Sequence, residues 1–210
     1  MPNPTVSELA ARVLDAPARC GTTRLVLIDG PAGSGKTTLA NRLAEALGGA
    51  RSAGAGTYDP ANPLDLEAPV QILHGDDMYE GWSGLSTLHQ VLLDQVLEPL
   101  AQRGQGAFRM WDWVADQRSH TITVPARKVL IIEGVGVGLP RARALASLVI
   151  FVEAPWEERL KRGVARDHHA YDDVVAKWKA FDAEETALHI ASATRDAADF
   201  VVDGTSPVPD

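Results

Sequence analysis

One short segment near the start of the chain combines glycines, a lysine and a threonine at spacings that suit anion binding. It runs from Gly30 to Thr37, reads GPAGSGKT, and fits the pattern G-x-x-x-x-G-K-[ST]. Glycines let several backbone N–H groups point at one anion, and a following helix adds the positive end of its dipole. Lys36 suits the β- and γ-phosphates, and the Thr37 hydroxyl suits magnesium. The alternative, a glycine-rich turn with an unrelated lysine, is disfavoured by the apolar run before the motif and the helical pattern after it. The predicted nucleotide-binding residues are Gly30, Ala32, Gly33, Ser34, Gly35, Lys36, Thr37 and Thr38.

Acidic side chains follow two further apolar runs. Asp76 and Asp77 come after residues 70–74, and Glu133 comes after residues 129–132. Because the carboxyl ends of parallel strands share one edge of a sheet, these acids should lie near the phosphates. A carboxylate there can hold magnesium, or it can orient a substrate hydroxyl and accept its proton. For Asp77 alone, a solvated turn or a helix cap is the favoured interpretation, whereas Glu133 fits a Walker B acid.

A basic patch lies further along the chain. Arg159, Arg162 and Arg166 are spaced three and four apart, so they share one face of a predicted helix. Guanidinium groups suit bidentate phosphate contacts and charge in a transition state. The alternative is a solvated face that pairs with neighbouring acids, which is the usual meaning of charge runs on helices. Spacing alone favours neither role strongly.

The hydrophobic pattern predicts the elements that would position these groups. Continuous apolar runs indicate buried strands at 24–29, 70–74, 128–133, 148–153 and 199–203. Periodicity and end signals indicate helices at 5–16, 35–47, 85–102, 155–166 and 172–193. Alternating residues at 108–113 and 120–124 favour a hairpin. The fold class is therefore α/β: a three-layer P-loop NTPase fold with a mostly parallel five-stranded sheet, helices on both faces and a short helical lid.

Length and composition bound the class of protein. With 210 residues and no obvious linker, we expect a single domain over 1–210, with a lid at about 159–185, a flexible loop at about 49–68 and a tail at 204–210.

The net charge of −8 disfavours a nucleic-acid partner. The single cysteine, Cys20, excludes a disulfide framework. The start of the chain lacks the pattern of a signal peptide, and no stretch is apolar enough to span a membrane, so we expect a cytoplasmic protein. Homo-oligomerisation stays open.

Five sequence segments together resemble the uridine kinase and phosphoribulokinase-like family of P-loop kinases. The first is the glycine-rich segment from Gly30 to Thr37, named the phosphate loop from here on. The second is Asp76-Asp77-Met-Tyr79, and the third is Glu133-Gly134 after its strand. The fourth is Arg159-Leu-Lys-Arg162-Gly-Val-Ala-Arg166-Asp167, similar to the family's lid entry. The fifth and loosest is Trp111-Asp112-Trp113 through Arg118. The resemblance spans about residues 24–203, and the combination is more specific than the phosphate loop alone.

The resemblance implies roles for individual residues. Asp76 would be the base that holds the acceptor hydroxyl, and Lys36, Arg162 and Arg166 would complete the catalytic set. ATP would be the phosphoryl donor, and the acceptor would be the hydroxyl of a small molecule, a nucleoside or a similar compound. The implied magnesium ligands are Thr37, Asp76 and Glu133. The implied acceptor-site residues are Asp76, Tyr79, Trp113, Asp116 and Arg118.

The chain departs from the family pattern at informative positions. Gly163 stands where the family has a second arginine, and residues 168–171 differ from the family's lid. Asp116 occupies the place of the family's base-contacting histidine. A pocket with Asp112 and Asp116 would favour a cationic or polyhydroxylated acceptor. An ATP- and magnesium-dependent kinase is therefore better supported than uridine as its substrate.

Two rival readings stay open: a kinase for a sugar, an amino alcohol or another non-nucleoside metabolite, and a regulatory P-loop protein that binds ATP without catalysis. GTPases and transport ATPases are disfavoured, because the Asn-Lys-x-Asp and Leu-Ser-Gly-Gly-Gln signatures are absent.

Overall fold

The computed structural model describes residues 2–58, 68–170 and 172–210. Their strands are β1 Arg24–Asp29, β2 Val70–His74, β3 Gln105–Asp112, β4 Gln117–Pro125, β5 Val129–Glu133, β6 Leu148–Glu153 and β7 Phe200–Asp203. Their α-helices are α1 Val6–Asp15, α2 Lys36–Ala46, α3 Leu88–Gln90, α4 Glu98–Arg103, α5 Pro140–Arg143, α6 Trp156–Asp167 and α7 Val174–Ser192.

Five of the strands form a parallel sheet in the order β2-β5-β1-β6-β7. The central strand explains why its sequence is a continuous apolar run. Leu25 and Leu27 pack into the core on one face of the sheet, whereas Val26 and Ile28 pack into the core on the other. A strand covered on both faces needs apolar side chains at every position. The predicted three-layer α/β fold with a five-stranded parallel sheet is confirmed.

One face of the sheet is covered by α1 and α2. Thr5 caps α1, because its hydroxyl accepts from the N–H of Glu8 at 3.0 Å while the Glu8 carboxylate accepts from the N–H of Thr5 at 2.7 Å. The segment expected to be a tail also packs there: Val208 is buried, and the carbonyl oxygen of Pro209 accepts from the N–H of Val6 at 2.8 Å.

The other face is covered by a long helical segment and the hairpin. The prediction of one helix over 85–102 is correct in position, but the structure divides it into α3, a π-helical stretch Val91–Leu97, and α4. Pro99 lies at the start of α4 and has no N–H to donate to the preceding turn, so the regular bonding pattern cannot run through it.

The predicted hairpin is also confirmed, and β3 and β4 pair antiparallel in a separate two-stranded sheet. Its turn is shaped by two aspartates. Oδ1 of Asp112 accepts from the N–H groups of Val114 and Ala115, both at 2.9 Å. Asp116 adopts a left-handed backbone with φ of 52°, a conformation that Asp and Asn tolerate better than other non-glycine residues.

Helices α6 and α7 run through the expected lid region. Gly163 of α6 is buried, and a Cβ at this position would overlap the indole ring of Trp178 on α7. The glycine in place of the family's arginine therefore has a packing reason. No helix in the described parts of the chain is both long and apolar enough to cross a membrane.

The expected loop at 49–68 is described only in part, since residues 59–67 lie outside the described residues. Ser52 is fixed by Asn41, whose side chain bonds both the N–H and the carbonyl oxygen of Ser52, at 2.7 and 3.1 Å. Further along, the N–H of Gly56 donates to Oδ1 of Asp77 at 2.7 Å. This segment therefore packs beside the acidic strand ends.

Candidate active site

The phosphate loop connects β1 to α2, as its sequence predicts. Gly30, Gly33 and Gly35 have φ angles of 138°, 76° and 108°, which disfavour any residue with a Cβ. The backbone also passes close to its neighbours. A Cβ on Gly30 would overlap the carbonyl of Val152, and one on Gly33 would lie 2.8 Å from the carbonyl oxygen of Arg159. Gly30 and Gly33 are therefore required by both conformation and space, whereas Gly35 is required by conformation alone.

The polar side chains of the loop are arranged around the start of α2. Lys36 is 7% exposed, and its Nζ donates to the carbonyl oxygen of Pro31 at 2.9 Å. Thr37 Oγ1 donates to Oε1 of Glu133 at 3.0 Å, so the loop is linked directly to the end of β5. Thr38 is exposed on the first turn of α2, and the buried hydroxyl of Ser34 has no hydrogen-bond partner among the described residues.

Glu133 connects the phosphate loop to the end of β2. Its Oε1 lies 2.6 Å from Nδ1 of His74, and Nε2 of His74 lies 2.6 Å from Oγ of Ser52. Burial opposes ionisation of Glu133, but the hydrogen bond and charge of His74, followed by Lys36 and Thr37, lower its pKa. Burial likewise opposes the charged form of His74, but Glu133 and the two aspartates after β2 raise its pKa. The surroundings therefore favour the charged form of both side chains, the carboxylate of Glu133 and the imidazolium of His74.

The two aspartates after β2 have different surroundings. Asp76 is half-buried, and its Oδ1 accepts a hydrogen bond of 2.9 Å from the hydroxyl of Tyr79. Its carbonyl oxygen accepts from Nε1 of Trp113, also at 2.9 Å. Asp77 is buried, and burial raises its pKa to about 7 against the hydrogen bond from Gly56. Asp76 is thus the aspartate oriented by the predicted acceptor-site residues.

An aromatic cluster adjoins Asp76. Its members, which come from the segment after β2, from the hairpin and from α7, are Tyr79, Trp82, Trp113, Trp178 and Phe181. Most of the contacts are edge-to-face, with ring centroids between 5.8 and 6.4 Å apart. Tyr79, Trp178 and Phe181 are almost fully buried, whereas Trp82 and Trp113 are partly exposed.

Arg118 and Asp116 lie at the edge of this region. The Arg118 guanidinium pairs with Glu80 and donates to the carbonyl oxygens of Met78 and Arg109 at 2.9 and 2.8 Å, so it ties the hairpin to the segment after β2. The Asp116 carboxylate is exposed. A Cβ placed on Gly81 would lie 3.7 Å from Oδ1 of Asp116 and 3.9 Å from Nε1 of Trp111.

The three arginines of α6 take separate positions. Arg162 Nη1 donates to the carbonyl oxygen of Gly33 at 3.1 Å, which places it against the phosphate loop. Arg166 forms two hydrogen bonds with Asp167, at 2.6 and 2.9 Å, and its pKa is raised by this partner and by the more distant charge of Asp76. Arg159 is 7% exposed and pairs with Asp182 and Glu185 of α7.

Several residues around the site were not identified from sequence. Glu185 of α7 accepts from the N–H of Ala32 in the phosphate loop at 2.7 Å. Asp29, at the end of β1, is fully buried and accepts from the N–H groups of Gly30, Gly136 and Gly138 at 2.6 to 2.8 Å. An acid ending an otherwise apolar strand was a detectable signal for Asp29, whereas no local pattern distinguishes Glu185.

This arrangement fits a triphosphate with a divalent cation. Gly33 and Gly35 both have positive φ angles, and the buried hydroxyl of Ser34 between them has no hydrogen-bond partner among the described residues. Thr37, Glu133 and Asp76 supply the oxygen donors that Mg²⁺ prefers. In the described residues, no group of three or more His, Cys, Asp or Glu side chains is placed to hold a metal unaided.

Solved structures share this fold. A possible uridine kinase from Bacillus stearothermophilus has a TM-score of 0.59 at 22% identity, with 94% of this chain and 97% of that one covered. A candidate fructose transport system kinase from Silicibacter sp. TM1040 has a TM-score of 0.56 at 23% identity, with 94% and 98% covered. The expected likeness to uridine kinase-like P-loop kinases is therefore confirmed for the fold.

Sequence comparisons add a family. A bifunctional pantoate ligase/cytidylate kinase of Parasynechococcus marenigrum (strain WH8102) is 47% identical over an alignment of 57 residues, and the match covers 21% of this chain and 11% of that protein. The chain thus spans a small part of that curated relative. The family model described as an AAA domain matches residues 26–186. Since that match covers well over half of the sequence, the chain belongs to the AAA domain family.

Proposed function

We propose that the protein is an ATP- and magnesium-dependent kinase that phosphorylates a hydroxyl group of a small molecule. The observation that carries the proposal is the meeting of three strand ends: the phosphate loop after β1, Glu133 hydrogen-bonded to Thr37, and Asp76 two residues beyond β2. A donor site and a candidate base then share one edge of the sheet. The two solved structures that share this fold, a possible uridine kinase and a candidate fructose transport system kinase, support the same activity class.

The roles follow from the chemistry of each group. Loop amides and Lys36 would neutralise the β- and γ-phosphates. Thr37, Glu133 and Asp76 would hold magnesium, which when bound offsets charge on the phosphate oxygens. Asp76 would accept the proton of the acceptor hydroxyl as that oxygen forms a bond to the γ-phosphorus. The bond from the γ-phosphorus to the bridging oxygen breaks, and ADP leaves.

The lid residues would act on the same transfer. Arg162 contacts the backbone of the phosphate loop at Gly33, and the negative charge of Asp76 contributes to the raised pKa of Arg166. Guanidinium groups in these places would stabilise charge on the transferring group and, with α6 and α7 closed over it, exclude water as a competing nucleophile.

A non-nucleoside acceptor is favoured by one further observation. The Asp116 carboxylate is exposed at the turn of the hairpin, beside Gly81. A negative charge at this place would suit a cationic or polyhydroxylated molecule, such as an amino alcohol or a sugar. The cluster of aromatic rings would pack against its apolar parts.

The test is coupled ADP release with Mg²⁺ and ATP across a panel of nucleosides, sugars and amino alcohols. For the stimulating acceptor, we expect Asp76→Asn to lower kcat by about 10²- to 10⁴-fold, while the affinity for ATP measured without Mg²⁺ stays near that of the wild type. Asp196→Asn, an exposed change after α7, is the matched control.

The outcomes separate the candidates. Stimulation by uridine or cytidine would support a nucleoside kinase, and stimulation by only a sugar or an amino alcohol would support the second candidate. If ATP binds and no acceptor stimulates ADP release, the kinase proposal fails in favour of a regulatory ATP-binding protein.

A further inference from the structure

Glu185 is a buried acid that the proposed phosphoryl transfer does not use. It is 1% exposed, and both of its carboxylate oxygens are paired. Oε2 accepts from the backbone N–H of Ala32 at 2.7 Å, and Oε1 accepts from Nη1 of Arg159 at 2.7 Å. Because burying a carboxylate costs free energy unless its oxygens find partners, a glutamate at this position needs a specific reason.

Arg159 completes a clamp around the Ala32 peptide. The same Nη1 that pairs with Glu185 lies 3.3 Å from the carbonyl oxygen of Ala32. The rest of the guanidinium is fixed, since Nη2 donates to Asp182 at 2.6 Å and Nε donates to the carbonyl oxygen of Ala154 at 3.1 Å. Both polar groups of the Ala32 residue are therefore held by side chains from α6 and α7.

The clamp acts on the part of the loop where conformation matters most. Gly33, the next residue, has a positive φ and packs directly on the backbone of Arg159. Its carbonyl oxygen is held by Arg162. The N–H groups that would face the phosphates follow Ala32 in the chain. Any rotation of the backbone at Ala32 would therefore change the direction in which they point.

We propose that Glu185 is a positioning residue for nucleotide binding, which fixes the Ala32 peptide and so couples the shape of the phosphate loop to helices α6 and α7. This inference rests on the proposed function, because the loop must bind a triphosphate for its shape to matter. Glu185 acts through Ala32 and Arg159 and touches no reacting atom. Burial raises the pKa of Glu185 to about 7, which shows that ionisation of this carboxyl is unfavourable at its buried position.

The test compares Glu185→Ala and Glu185→Gln with Glu184→Gln, a half-buried neighbour on the same helix. Hydrogen–deuterium exchange of the segment 31–34 is measured in the nucleotide-free protein. The Kd for ATP with Mg²⁺, kcat, KM and the melting temperature are then measured for each variant.

We expect Glu185→Ala to speed exchange in this segment and to raise the Kd and KM for ATP by about 10-fold or more, with kcat changed less than about 3-fold. Glutamine retains a carbonyl oxygen for the Ala32 N–H, so Glu185→Gln should recover most of the loss. Glu184→Gln should behave as the wild type.

Two results would overturn the inference. A lower melting temperature in Glu185→Ala with unchanged exchange and ATP affinity would show that Glu185 only braces the helices. Equal losses in the Ala and Gln variants would show that the Ala32 hydrogen bond is not responsible. Failure of the kinase proposal is distinct: ATP would bind without acceptor-stimulated turnover, while the exchange and affinity differences would still support the positioning role. If the wild-type protein binds no ATP, both the kinase proposal and the positioning role of Glu185 are wrong.

Discussion

The hydroxyl of Thr37 donates a hydrogen bond of 3.0 Å to the carboxylate of Glu133, which joins the first turn of α2 to the end of β5. The same carboxylate oxygen lies 2.6 Å from Nδ1 of His74. Two residues expected around magnesium are thus already oriented by each other, and a cation would need to replace one hydrogen bond rather than to assemble the site.

Removing the Thr37 hydroxyl should therefore weaken magnesium use. We expect Thr37→Val, which keeps the shape of the side chain, to raise the Mg²⁺ concentration needed for half-maximal turnover by about 10-fold, because one oxygen ligand is lost. Thr37→Ser should restore it. Magnesium titration of ADP release checks this, and an unchanged requirement in Thr37→Val would remove Thr37 from the metal site.

The lid arginines should affect the rate of transfer more than substrate binding. Replacing Arg162 with methionine should lower kcat by about 10²-fold, because a donor near the transferring group is lost. The same change at Arg166 should also lower kcat, but less, since Asp167 holds its guanidinium. Arg195→Met, at an exposed ion pair with Glu153, is the control. If only KM changes, the arginines bind substrate without a role in transfer.

Packing between Gly163 and Trp178 gives a prediction about stability. Alanine normally stabilises a helix interior by about 1 kcal/mol relative to glycine. At position 163, however, its Cβ would overlap the indole, so Gly163→Ala should destabilise the protein by about 1–3 kcal/mol.

The control is the same change in a Trp178→Leu background, where the steric conflict is relieved and alanine should be neutral or stabilising. Urea unfolding of the four proteins in this cycle measures the coupling. Additive effects would contradict the packing explanation.

The raised pKa of Glu185 predicts that the free energy of unfolding depends on pH. The pKa of Glu185 is raised from 4.5 to about 7 in the folded protein. The folded state therefore holds this proton more tightly, and the resulting stability is complete below about pH 4.5 and is lost as the pH rises through about 7. Arg159, Lys36, His189 and Asp182 are the charged or titratable neighbours.

Glu185→Gln lacks this titration. Between pH 5 and pH 7.5, its free energy of unfolding should therefore gain about 2 kcal/mol relative to the wild type. Chemical unfolding across this range checks the prediction, with Glu184→Gln as the reference. A constant difference between variant and wild type would show that Glu185 does not titrate in this window.

Asp116 should influence the choice of acceptor without shaping the fold. Asparagine tolerates the left-handed backbone at this position, so Asp116→Asn should keep the hairpin while it removes the charge. For a cationic acceptor we expect KM to rise about 5- to 10-fold, in line with the loss of one partly screened ion pair, while kcat changes little. An unchanged ranking of acceptors in the substrate panel would exclude Asp116 from recognition.

The sequence by itself determined the sheet, the phosphate loop and the acidic strand ends. Runs such as residues 25–28 are apolar at every position because both faces of the sheet are covered, and this signal is local and strong. The loop is equally readable, since glycine is required where φ is positive and the backbone passes close to Val152. Because the carboxyl ends of parallel strands share one edge of a sheet, the acids that follow these strands were predicted to lie beside the phosphate loop.

The tertiary structure decided what distant residues do to one another. Helical periodicity places Arg159, Arg162 and Arg166 on one face of α6. It could not show that Arg159 pairs with Glu185 while Arg162 contacts the carbonyl oxygen of Gly33. Nor could it show that Gly163 makes room for Trp178. These contacts join residues that are far apart in the chain, so they depend on how helices pack on the sheet, which no single segment of sequence encodes.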